Sequence, residues 1–132
     1  MNRADVIPES HLDLLTRPLF GHFATIRPDG AAQVNPMWFL WDGENLKLTN
    51  TTTRRKYRNV SVNPRVALSV IDPTQPYRYL EVRGSVVRID PDPEGAFFQV
   101  LADRYGMAMD GPVADAADRI VFVIRPDRVS AQ

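Results

Sequence analysis

Residues 24–50, ATIRPDGAAQVNPMWFLWDGENLKLTN, read as extended segments separated by tight turns. LFGHFATI (19–26) and AAQVNPMWFLW (31–41) flank RPDG, where Pro and Gly supply the dihedrals of a reversal, while Thr, Ile, Val, Phe and Trp give strand character on both sides. A second turn, DGEN (42–45), leads into the alternating LKLTN. The stretch therefore predicts three antiparallel strands in a meander, with 31–41 as one strand.

Working outward, TTTRRKYRNVSVNP (51–64) places Arg54, Arg55, Lys56 and Arg58 within five positions and offers them no carboxylate. A helix is expected over 54–62, with Thr53 as its N-cap and Pro64 as its stop. Basic side chains oppose the partial positive charge of a helix N-terminus, and Arg54 and Arg58 form a like-charge i, i+4 pair. Such a start reads either as an anion trap or as arginines splayed in water. On the helix surface Arg55 faces away from the other three.

RVALSVID (65–72), a Pro-bounded loop at 73–76 and YRYLEVRGSVVRI (77–89) continue the sheet, and Gly84 marks a bulge or a close backbone approach. A further helix falls within DPEGAFFQVLADRYG (92–106), with Phe97, Val100, Leu101 and Tyr105 at core spacing. Residues 110–118 read as a loop, and RIVFVIRPDRVS (119–130) as the last strand. Upstream, a short helix over 8–15 starts at Pro8, carries Leu12 and Leu15, and stops at Pro18. Six short strands with two or three peripheral helices predict a mainly β domain over residues 1–132, a small barrel or curled antiparallel sheet.

Composition limits the chemistry. There is no cysteine, and two histidines make a dedicated metal site unexpected. No signal-peptide pattern or membrane-length apolar run occurs, so a cytoplasmic protein is expected. The net charge is zero, yet residues 45–71 carry six basic residues and no acid, whereas residues 90–118 carry seven acids and only Arg104. Either the basic segment serves an anion or a partner, or the two segments face each other. No G-x-S-x-G elbow or phosphate-binding GK[ST] loop exists, and His22 reads as a strand residue. Enzymatic chemistry would therefore come from a cofactor. A nucleic-acid module, with Tyr57 stacking on a base, is disfavoured by the neutral charge and the single basic stripe.

The three ordered segments, ATIRPDGAAQVNPMWFLWDGENLKLTN, TRRKYRNVSVNPRVALSVID and YRYLEVRGSV, resemble the split β-barrel superfamily typified by pyridoxamine 5′-phosphate oxidase. The R-x-K-x-R-N-[VL]-x-x-N-P-R run and RYLEVRG are most similar to its deazaflavin-dependent oxidoreductase branch, which uses coenzyme F420. The resemblance implies a six-stranded split-barrel homodimer with its cofactor at the subunit interface. It implies that Arg54, Lys56 and Arg58, beside Asn59, meet the phosphate and acidic tail. Thr25, Gln33, Asn35, Pro36 and Met37 would lie near the ring, and Tyr77 and Tyr79 of the second subunit would cover it. Tyr79 is also a candidate proton donor, and no protein nucleophile is implied. Trp38 and Trp41 are candidates for the pocket wall or for aromatic packing. FMN is the alternative cofactor, and a carrier of cofactor or haem without turnover is the alternative role. The absence of an Arg- and Pro-rich C-terminal tail speaks against the vitamin oxidase itself.

Overall fold

The computed structural model describes residues 6–107 and 109–132. The single-domain reading also spans residues 1–5 and Ala108, which lie outside the described residues. Among the described residues, seven strands form one sheet: β1 (Gly21–Ile26), β2 (Ala32–Met37), β3 (Leu40–Trp41), β4 (Leu46–Thr51), β5 (Arg65–Ile71), β6 (Tyr79–Pro91) and β7 (Arg119–Ala131). Their order is β2-β1-β5-β6-β7-β4-β3, with every neighbouring pair antiparallel.

The count exceeds the expected six because 31–41 is two strands. Met37 pairs with Gly21 at one edge of the sheet, whereas Leu40 pairs with Lys47 at the other. In a flat sheet, six spacings of ~4.8 Å would separate those edges by roughly 29 Å. The chain from Met37 to Leu40 can span only about 11 Å. The sheet must therefore curl until its edges approach, and the result is a split barrel with its seam beside Trp38 and Phe39.

Phe23, Phe39, Leu46, Leu48, Leu68, Leu80, Phe122 and Ile124 fill the interior at 2 % exposure or less. Alternation holds in β6, where Leu80, Val82 and Gly84 are buried between less buried neighbours. In β7 it fails, because Ile120 through Ile124 are all buried. Gly84 sits at a register shift, and a Cβ there would collide with the Arg125 carbonyl oxygen.

Among the described residues, three α-helices lie outside the sheet: α1 (Asp13–Thr16), α2 (Arg55–Val62) and α3 (Ala96–Arg104). The expected first helix is shorter, a 3-10 turn at Glu9–His11 followed by α1, which buries Leu14 and Leu15. On α3, Leu101 is buried as expected, but Val100 is 48 % exposed. Helix α2 contacts both β1 and β4, which stand four places apart in the strand order, so it crosses the seam. No helix among the described residues is long and apolar enough to cross a membrane.

Candidate functional site

Helix α2 opens without a side-chain cap. Arg54 occupies the N-cap position in extended geometry, and the Thr53 hydroxyl pairs with Thr51 Oγ1 at 2.8 Å. This corrects the expected Thr53 cap: threonine satisfies a neighbour in the β4–α2 turn, and the helix starts one residue later. Its first turn holds no acid, so the positive end of the helix and the basic side chains reinforce each other.

The buried face of α2 is Lys56, Asn59 and Val60. Asn59 is fully buried and donates from Nδ2 to Thr25 Oγ1 (2.9 Å) and to Gln33 Oε1 (3.1 Å). Gln33 Nε2 donates to Asn35 Oδ1 (3.1 Å), which also accepts from Lys56 Nζ (3.5 Å). Five residues proposed from separate segments thus form one continuous hydrogen-bonded chain. It fixes the helix across the seam and aims the ammonium from one side.

Lys56 is 8 % exposed and, among the described residues, has no carboxylate partner. Burial pushes its pKa down, and the charge of Arg54 adds to that. Holding a mostly buried cation without a counter-ion is costly, so the site favours an incoming anion. Two buried amide atoms, Asn50 Nδ2 and Asn59 Oδ1, also lack hydrogen-bond partners among the described residues.

A cleft of about 320 Å³ opens at this point. Arg54 and Lys56 form its basic side, Pro36, Met37, Trp38 and Phe20 its apolar side, and Thr49, Asn50 and Arg119 complete the lining. Arg54, Lys56, Pro36 and Met37 are therefore brought to one cavity, and the Thr25, Gln33, Asn35 and Asn59 network joins Lys56 to the barrel strands. Arg58 and Arg55 are exposed and do not line it. Tyr77 is 86 % exposed beside a second depression with His11 and Arg78. Tyr79 pairs with Ile71 in the β5–β6 ladder, and neither tyrosine lines the cleft.

Sequence reasoning missed Phe20, Thr49, Asn50 and Arg119. Arg119 donates to both Asp115 carboxylate oxygens (2.9 and 3.2 Å) and to Thr49 Oγ1 (3.3 Å), and its guanidinium lies 4.6 Å from the Phe98 ring centroid. That role depends on the β4–β7 pairing, which no local motif announces. Trp38 belongs to the cleft wall, whereas Trp41 packs against the core.

The charged segments do not neutralise each other. Asp92 accepts from the Phe97 and Phe98 amides, Asp90 pairs with Arg88, and Asp115 pairs with Arg119. Lys47 pairs with Asp42, which leaves Arg54, Arg55, Lys56, Arg58 and Arg65 without an ion pair among the described residues.

Comparison with known proteins agrees with this architecture. A solved structure named F420 reductase is 60 % identical, with a TM-score of 0.93, covering 96 % of this chain and all of that one (100 %). A hypothetical protein from Mycobacterium tuberculosis is 25 % identical, with a TM-score of 0.70 over 99 % of this chain and 88 % of its own. General stress protein 26 from Bacillus anthracis, 18 % identical with a TM-score of 0.70, covers 99 % of this chain and 94 % of its own, and shares the fold. No curated protein matches the chain. Residues 7–132 match the pyridoxamine 5′-phosphate oxidase family, and the chain belongs to that family.

Proposed function

We propose that this protein is an oxidoreductase that binds coenzyme F420 and delivers a hydride to a small-molecule acceptor. The observation that carries the reading is Lys56: a mostly buried cation without a carboxylate partner among the described residues, beside Arg54, on the basic side of a cleft. Such a pair suits a phosphate, with the guanidinium fork gripping oxygens and the ammonium acting as a point charge. The high identity to a protein named F420 reductase supports the deazaflavin over FMN.

The chemistry supplied by the bound cofactor is hydride transfer. The chain's own contribution is position and exclusion of water. Arg54 and Lys56 hold the anionic end, while Thr25, Gln33, Asn35 and Asn59 fix Lys56 and the β1–β2 hairpin relative to each other. Pro36 and Met37 close the apolar side. In this reading Arg58 meets the acidic tail outside the cleft. Tyr77 and Tyr79 reach the site from a second subunit of a cytoplasmic homodimer, with Tyr79 as a candidate proton donor.

Charge reversal tests the assignment. Lys56→Glu should weaken coenzyme F420 binding by at least tenfold, whereas Arg55→Glu, the same charge change one residue away and outside the cleft, should alter it about twofold or less. Equal losses would contradict the assignment.

A further inference from the structure

Arg104 and Tyr105, at the end of α3, do not line the cleft, yet they hold the backbone on which its apolar side is built. The crossing from β2 to β3 leaves Trp38 and Phe39 outside the ladder, so their backbone polar groups need other partners. The Phe39 amide donates to the Tyr105 hydroxyl (3.1 Å), and the Phe39 carbonyl accepts from Arg104 Nε (3.0 Å). Two consecutive side chains thus satisfy both backbone groups of one seam residue.

The same two side chains reach the opposite flank. The Tyr105 hydroxyl donates to the Leu19 carbonyl (2.7 Å), and Arg104 donates to the carbonyls of Leu15, Thr16 and Arg17 at 2.7–3.2 Å. Leu19 adjoins Phe20 and Phe39 adjoins Trp38, so one hydroxyl ties down the backbone beside both cleft aromatics. Between these anchors the Tyr105 ring stacks on Trp38 at a centroid separation of 5.1 Å and an angle of 9°, and on Phe20 at 5.8 Å and 25°. Phe20 remains 60 % exposed, so what lies behind it decides its placement. Phenylalanine at 105 would serve the stacking alone; the hydroxyl is what joins the two flanks.

We infer that Tyr105 is a positioning residue of the cofactor cleft: its hydroxyl, bridging Leu19 and Phe39, holds Phe20 and Trp38 in place for the ring of the cofactor. The inference rests on the proposed function and adds to it a residue outside the cleft. A wall fixed before binding loses little side-chain freedom when a ring settles on it, and the saving is expressed as affinity. That gain belongs to the ring end of the ligand. The anionic end is held by Arg54 and Lys56 on the basic side.

Tyr105→Phe removes the bridge and keeps the stack, and calorimetry with two ligands reads the consequence at each end of the cleft. The Kd for coenzyme F420 should rise about three- to tenfold, the cost of ordering one side chain anew on binding, while the Kd for inorganic phosphate stays within about twofold. Arg104→Lys, which loosens the same backbone from the neighbouring residue, should give the same split. A second readout needs no ligand. In a Trp41→Phe background Trp38 is the remaining tryptophan, and loss of the hydroxyl should raise its quenching by acrylamide and lower its anisotropy.

Equal weakening of both ligands would reduce the hydroxyl to a role in general stability and overturn the inference. So would an unchanged Kd for coenzyme F420, or weaker binding with Trp38 as rigid as before. If the unsubstituted protein does not bind coenzyme F420, the proposed function falls and this role falls with it. If it binds and Tyr105→Phe binds equally well, only the positioning role falls.

Discussion

Asn59 Nδ2 lies 2.9 Å from Thr25 Oγ1, inside the barrel, and couples helix α2 to strand β1 across the seam. The same amide holds Gln33, and through Gln33 and Asn35 it reaches Lys56. Replacing Asn59 by Ala strands the buried Thr25 hydroxyl and the half-buried Gln33 amide oxygen. Urea unfolding should show a loss of about 1–3 kcal/mol, and coenzyme F420 affinity should fall as well because Lys56 loses its support. Unchanged stability would show that the network does not hold α2 to the barrel.

Much of this arrangement is legible in the sequence. The two turns and the alternation of 46–50 give the meander, and the unneutralised basic run marks the helix whose Arg54 and Lys56 line the cleft. What escapes is information that resides in pairing rather than in local pattern. Residues 31–41 look like one strand because Trp38 and Phe39 have strand propensity, yet the curled sheet uses them to pass from one edge to the other. Thr53 looks like a cap because nothing local reveals that Thr51 competes for its hydroxyl. Arg119 and Phe20 enter the cleft through contacts distant in sequence.

Gly84 tests the geometry of the barrel. It faces the Arg125 carbonyl at a register shift between β6 and β7. Gly84→Ala should destabilise the fold by about 1–3 kcal/mol, measured by thermal or urea unfolding, whereas Gly30→Ala, where a Cβ meets open space but strains a positive φ of 87°, should cost about 1 kcal/mol or less. A larger effect at Gly30 would contradict the close approach.

Acid stability should carry the signature of Asp72. The Thr74 amide and hydroxyl, then Arg78 and Arg17, hold its carboxyl at about 2, against an ordinary 3.8. A carboxyl lowered by folding stabilises fully above its unfolded pKa. That contribution should fade as pH falls from about 4 to about 2. Asp72→Asn should flatten unfolding free energy against pH in this window, and an unchanged slope would place the acid sensitivity elsewhere.

Lys56 should leave its own pH signature on binding. Burial and Arg54 hold its ammonium below the ordinary 10.5 of lysine. A bound phosphate favours the charged form and lifts that pKa again, so binding takes up a proton. Affinity for inorganic phosphate and for coenzyme F420 should therefore decline as pH rises through the lowered value. Lys56→Arg, which stays charged throughout, should show a flatter decline. Identical profiles would mean that another group titrates on binding.

Binding of a deazaflavin in the cleft at the barrel seam is the proposal on which the chemistry rests. Its most direct test is a paired titration of the purified protein with coenzyme F420 and with FMN at fixed ionic strength, followed by tryptophan fluorescence, since Trp38 lines the cleft. Saturable binding of coenzyme F420, at least tenfold tighter than FMN, is expected. Equal affinity or a preference for FMN would contradict it and move the chemistry to flavin reductase or oxidase reactions on the same fold.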